Sequence, residues 1–131
     1  MTIYRAASRA AIAARLKASP SLGAPVHSNP PANIALDHIL IGDIAAEASE
    51  EKGSASGWYT ASIEVWSQTF SPVALEARAD AVVARMTSEP LEAPGRSFFT
   101  PDFTGEQPSA VPAEAGGPLY GRVLTFRFYV D

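Results

Sequence analysis

The sequence predicts an α+β fold, a two-layer sandwich whose mainly antiparallel sheet of about four strands carries both helices packed on one face. Three observations predict it. Hydrophobic patterns follow one another as helix, two strands, helix, two strands. Each helical segment is apolar along one stripe only and so needs a surface to cover. The alternating segments are apolar on every second residue, as in strands with one buried face. No convincing internal repeat is present.

From about Thr2 to Ala18, alanine density and the lack of internal Gly or Pro favour a helix. Ile12 and Leu16 share a face, but Arg5 and Arg9 continue that line toward the N-terminus. The first turns therefore either project past the sheet to meet a partner or lay arginine stems over their own sheet edge. The stretch "SPSLGAPVHSNPP" reads as a loop with a short extended piece at Val26 to Ser28. A strand follows with its heart at His38 to Ile44, and "SEEKGSASG" then breaks the pattern as a long mobile hairpin connection.

In "WYTASIEVWSQ", Tyr59, Ala61, Ile63 and Val65 point one way, while Trp58, Thr60, Ser62, Glu64 and Trp66 point the other. Ser71 and Pro72 make a helix start. Beyond them Leu75, Ala79, Val82, Val83 and Met86 recur at helical spacing as a core stripe, with Arg78 and Arg85 on one flank and Glu76 and Asp80 on the other. A strand is expected around Arg96 to Phe103, with Pro101 marking an edge or an early end. The Pro-, Gly- and Ala-rich run from Thr104 to Pro118 reads as a loop, either ordered on contact or simply flexible. In the last strand Leu124, Phe126, Phe128 and Val130 alternate with Val123, Thr125, Arg127 and Tyr129.

A chain of 131 residues, 47% hydrophobic and 18% charged, suits one globular domain over 1–131. Without cysteine it has no disulfide scaffold, thiolate metal site or cysteine nucleophile, and an intracellular setting fits. The basic start is too broken by arginine for a signal peptide, and no run approaches the roughly 20 apolar residues of a membrane span, so a soluble, unprocessed protein is expected. A net charge of −4 argues against a nonspecific grip on nucleic acid. That charge is uneven. Arg5, Arg9, Arg15 and Lys17 open the chain without an acid, whereas Asp37, Asp43, Glu47, Glu50 and Glu51 cluster without a base. These are two solvated surfaces of opposite sign or complementary patches between copies of one subunit.

Catalytic chemistry has little to stand on. The two histidines are His27, in a loop, and His38, on a strand beside Asp37 whose side chain points to the opposite face. There is no HExxH, Walker loop or GxGxxG, and Glu50 and Glu51 lack further oxygens or imidazoles at metal-ligand spacing. Arg122, Arg127 and Tyr129 alternate basic with aromatic, as a nucleic-acid surface would, but such strands are more often plain sheet. No metal or cofactor is expected. An interaction or assembly subunit explains this pattern better than an enzyme.

The passage "IEVWSQTFSPVALEARADAVVARM" resembles the tail-terminator, or tail-completion, family of long-tailed phages and gene transfer agents, in which a strand ending in Trp-Ser runs through a short turn into the second helix. Here that pair is Trp66 and Ser67. The stretches "AAIAARLKASPSLGAPV", "HILIGDIAAEAS" and "YGRVLTFRFYVD" agree with it, so the resemblance covers nearly the whole chain. "VHSNPPANIALD" and "PSAVPAEAGGP" are longer than the family's pattern.

The resemblance implies a structural particle protein without catalytic residues: a homo-oligomeric ring, usually of six subunits, on the head-proximal end of the tail tube. Such a ring stops tube polymerisation, meets the major tail tube protein and the head-side stopper or connector proteins, and lets DNA pass its lumen without sequence-specific binding. It is assembled in the host bacterial cytoplasm and touches no membrane. On this reading the neighbour contacts are Arg5, Arg9, Arg15, Lys17, Glu76, Arg78, Asp80 and Arg85. A loop near 46–57 carrying Glu47, Glu50, Glu51, Lys52, Gly53 and Gly57 reaches the tube or neck, and a second loop lies near 104–118. The alternatives are another head-tail connector or stopper subunit, and a small ligand-binding α+β domain using the sheet face around His38 and Trp66.

Overall fold

The computed structural model describes residues 4–28, 37–47, 56–67, 72–111 and 119–131. Helix α1 runs Arg5–Lys17, followed by a 3-10 turn at Pro20–Leu22. The remaining elements are β1 Val26–His27, β2 His38–Ala46, β3 Gly57–Ser67, α2 Pro72–Thr87, β4 Glu92–Ala93, β5 Arg96–Ser97, β6 Asp102–Val111 and β7 Leu119–Val130. The main sheet has the order β1-β2-β3-β7-β6, and β4 and β5 form a separate two-stranded ribbon. Only the β1–β2 pair is parallel within the main sheet. The fold is α+β.

The core follows from the register. Ile41 of β2, Ile63 of β3 and Leu124 of β7 stand side by side, as do Ile44, Ala61 and Phe126, and Tyr59 opposes Phe128. These rows, with Val65 and Val130, are almost wholly buried, and Ile12 and Leu16 of α1 join Leu75, Ala79, Val82 and Met86 of α2 in the same cluster. Burying each large apolar side chain is worth about 1.5–3 kcal/mol, so this shared face holds both helices to the sheet. Val83, expected in the core, is only partly buried, because it stands off the line through Leu75, Val82 and Met86.

Other expectations also change. The sheet has five strands instead of about four, because the short extended piece at Val26 pairs with β2. The strand expected over Arg96 to Phe103 is divided. Arg96–Ser97 turns back on Glu92–Ala93 through Gly95, Phe98 bridges Val130, and pairing to β7 resumes only after Pro101, at Asp102. Most of the expected 104–118 loop is strand, because β6 runs on to Val111. Pro108 is tolerated there since an edge strand needs donors on one side only, and Gly105 falls at a register shift after Phe103. Residues 112–118 lie outside the described residues. The expected loop near 46–57 is framed by Ala46 at the end of β2 and Gly57 at the start of β3, with 48–55 outside the described residues.

Candidate assembly interface

Three arginines of α1 are taken up by their own chain. Arg9 forks across the carbonyls of Ile41 and Gly42, donating from Nη1 at 2.9 Å and Nη2 at 2.7 Å, and Arg5 Nε donates to the Ile44 carbonyl at 2.8 Å. Those carbonyls belong to an irregular stretch of β2 where the pairing register with β3 shifts between Ile41 and Ile44. The shift brings both isoleucines to the core although they are three residues apart, and the arginines satisfy the backbone it disturbs. Beyond Leu40 no described strand pairs with the outer side of β2, so the same bonds also close that sheet edge.

Arg15 is nearly buried and reaches the end of α2, donating to the carbonyls of Arg85 at 3.1 Å, Glu89 at 2.9 Å and Pro90 at 2.5 Å. The last carbonyls of a helix lack partners within the helix, and a guanidinium offers a planar fork of donors to them. The start of α1 is tied down differently: the Tyr4 N–H donates to the hydroxyl of buried Tyr59 at 2.9 Å.

The flanks of α2 divide. Arg78 Nε donates to the Leu22 carbonyl at 3.0 Å and its guanidinium lies 3.8 Å from Asp37, while Glu76 lies 3.8 Å from Arg122 of β7. Asp80 is exposed and has no side-chain hydrogen bond or ion pair among the described residues. Arg85 has none either, and its Nε is buried. It borders a cleft of about 230 Å³ between the two helices, together with Arg15 and Glu89. Lys17, at the end of α1, is exposed.

The sheet face turned away from the core carries a feature that the sequence reading missed. Trp58 and Phe99 each meet Tyr129 edge-on at 5.4 Å, and the Arg127 guanidinium lies 3.9 Å over the Trp58 ring. Arg127 also donates to Glu47 from Nε at 2.7 Å and Nη2 at 3.1 Å. Through that hydrogen bond first, Arg127 holds the Glu47 carboxyl below its ordinary value, and Glu47 raises Arg127 in turn. Trp58 is 37% exposed and Phe99 57%. Alternation in "WYTASIEV" placed Trp58 outward, but Phe99 joins it only through the backbone bond from Phe99 N–H to the Tyr129 carbonyl, which no local pattern announces. Of the expected contact loop, Glu47 and Gly57 flank this corner, whereas Glu50, Glu51, Lys52 and Gly53 lie outside the described residues.

The His38 side offers packing. His38 is buried and stacks on Trp66 at 6.3 Å, with His27 6.4 Å away, and Trp66 Nε1 donates to Glu64 Oε1 at 3.1 Å. Trp66 covers Gly121 so closely that a Cβ there would stand 2.7 Å from the indole ring. The Trp-Ser pair, with Ser67 also buried, thus locks one end of the sheet. Neither the cleft beside Arg85 nor the larger one bounded by Leu16, Pro20 and Val26 includes His38 or Trp66.

No curated protein sequence matches the chain. A solved structure entitled "Virion of native gene transfer agent (GTA) particle" contains a chain of the same fold, with a TM-score of 0.75, 21% sequence identity and 95% of each chain covered. The family model described as tail completion protein gp17 matches residues 10–131. The chain therefore belongs to the tail completion protein gp17 family, as a structural protein of the tail and not an enzyme.

Proposed function

We propose that the protein is a tail terminator: a ring, of six subunits by the family resemblance, that caps the head-proximal end of the tail tube and stops its growth. One face meets the major tube protein and the other the head-side stopper or connector proteins. The observation that carries this reading is the match to the tail completion family over residues 10–131. It is supported by two opposite charges whose side chains have no partner among the described residues, Asp80 on the outside of α2 and Arg85 in the cleft between the helices, since a head-to-tail ring needs two different complementary patches on each subunit.

Lys17, Asp80 and Arg85 are the ring contacts on this proposal. Arg5, Arg9 and Arg15 serve the fold, because their donors are engaged by their own chain. The corner formed by Glu47, Gly57, Trp58 and Arg127 faces the tube or the neck, where an exposed tryptophan beside an arginine is an effective contact centre. A net charge of −4 lets DNA pass the lumen without adhering. Assembly takes place in the host bacterial cytoplasm, and the ring stays in the finished particle.

Quantitative peptide mass spectrometry on purified particles tests the role. A small fixed copy number relative to the tube protein, with over-long or headless tails when the gene is deleted, is the expected result. Absence of the chain from intact particles would overturn the proposal.

A further inference from the structure

Every arginine side chain except that of Arg85 has a hydrogen-bond or ion-pair partner among the described residues. Arg85 keeps a buried Nε with none, a state that costs stability unless something outside the chain completes it. Its cleft is walled on the α1 side by Ala11, Ala14 and Ala18, whose short side chains leave room for an incoming element. On the outward side of α2, opposite the core stripe, Val73, Ala77, Asp80 and Ala84 recur at intervals of four, three and four residues and so form one exposed line. Val73 is 72% exposed, and Asp80 is the one charge in the line.

We propose that this outward stripe of α2 seats in the α1–α2 cleft of a second copy of the chain, with the Asp80 carboxylate meeting Arg85. The inference deepens the ring proposed above and rests on it. Cleft and stripe are complementary in two independent respects. The Arg85 guanidinium at the cleft meets an unpaired carboxylate, and alanines on both surfaces let two helices approach toward the short end of the usual 8–10 Å interaxial range. The two surfaces lie on different sides of each subunit, so the contact is heterologous and repeats around a closed ring without leaving a cleft or a stripe unused. Glu89 and Glu92 on the cleft rim disfavour a polyanion, which makes nucleic acid the wrong occupant.

The test is subunit association, followed by native mass spectrometry and sedimentation, of the wild-type chain, Arg85→Glu, Asp80→Arg and the double variant that exchanges the two charges. A thermal melt checks that each is folded; the exposed position of Asp80 keeps the test decisive should Arg85→Glu fold poorly. Each single change is expected to weaken association at least about tenfold, and the exchange to restore it to within about threefold. A wild-type ring left unchanged by either single variant would overturn this contact while leaving the ring proposal standing. A wild-type chain that stays monomeric at every accessible concentration would overturn both.

Discussion

Arg15 and Arg85 border the same cleft, yet the side chain of one donates to three carbonyls and that of the other has no partner among the described residues. The contrast extends to their helices. On α1 the basic residues Arg5, Arg9 and Arg15 end on carbonyls of β2 and of the α2 terminus. On α2 the outward and cleft-facing positions hold Asp80 and Arg85, whose side chains are unpaired among the described residues. Similar charges along the chain thus do different work: those that reach orphaned backbone carbonyls hold the fold, and those that reach nothing remain available to a neighbour.

The contrast breaks most visibly at Arg15. Arg15→Ala removes donors from three carbonyls in a nearly buried place and should destabilise the chain by about 3 kcal/mol, read as a lowered denaturant midpoint. A loss near zero would mean that water satisfies the end of α2 equally well. Next in size, Gly121→Ala forces a methyl group into the Trp66 ring and should cost about 1–3 kcal/mol, with a shift in tryptophan fluorescence. Arg9→Ala releases the Ile41 and Gly42 carbonyls and should cost about 1–2 kcal/mol while leaving subunit association untouched, measured by melting and sedimentation side by side. Lost association in a folded Arg9→Ala chain would return α1 to the interface.

A smaller effect sits at the exposed corner. Because Arg127 lowers the Glu47 pKa, the stabilisation from this pair is present above the ordinary carboxylate value of 4.5 and fades as the pH falls through the lowered folded value. Urea midpoints of wild type and Glu47→Gln should therefore differ slightly at neutral pH and converge in acid. No loss is expected at Arg85. Arg85→Ala breaks no bond within the chain and removes a buried donor without a partner, so the urea midpoint of the monomer should hold or rise, by up to about 1 kcal/mol.

How far the sequence foretold this molecule depends on how local each signal was. Alternation in β3 and β7 and the apolar stripe of α2 gave the core rows directly, since period and burial are properties of neighbouring residues. Trp66-Ser67 carried the family resemblance and proves to be a packing device at the sheet end. The strand beyond Thr104 was hidden by Pro108 and Gly105, residues that discourage a central strand but are acceptable at an edge, and edge status is a property of the whole sheet. The fates of the arginines were hidden for the same reason. Arg9 meets Gly42 across 33 residues and Arg15 meets Pro90 across 75, so no helical projection of α1 alone separates a fold-holding arginine from a contact-making one. Arg85 and Asp80 were legible as opposite flanks of α2, but not as the pair left over once Arg78 and Glu76 had found partners.

The chain has no cysteine, so introduced thiols report directly on the contact between the α2 stripe and the neighbouring cleft. Asp80→Cys and Arg85→Cys placed together lie five positions apart on one helix, on different sides and too far apart to bridge within a subunit, so mild oxidation links only neighbours. A ladder of disulfide-linked species that ends at a single closed multimer is expected, while either cysteine alone gives no ladder. A double variant that stays monomeric under oxidation while assembling normally by sedimentation would contradict that contact.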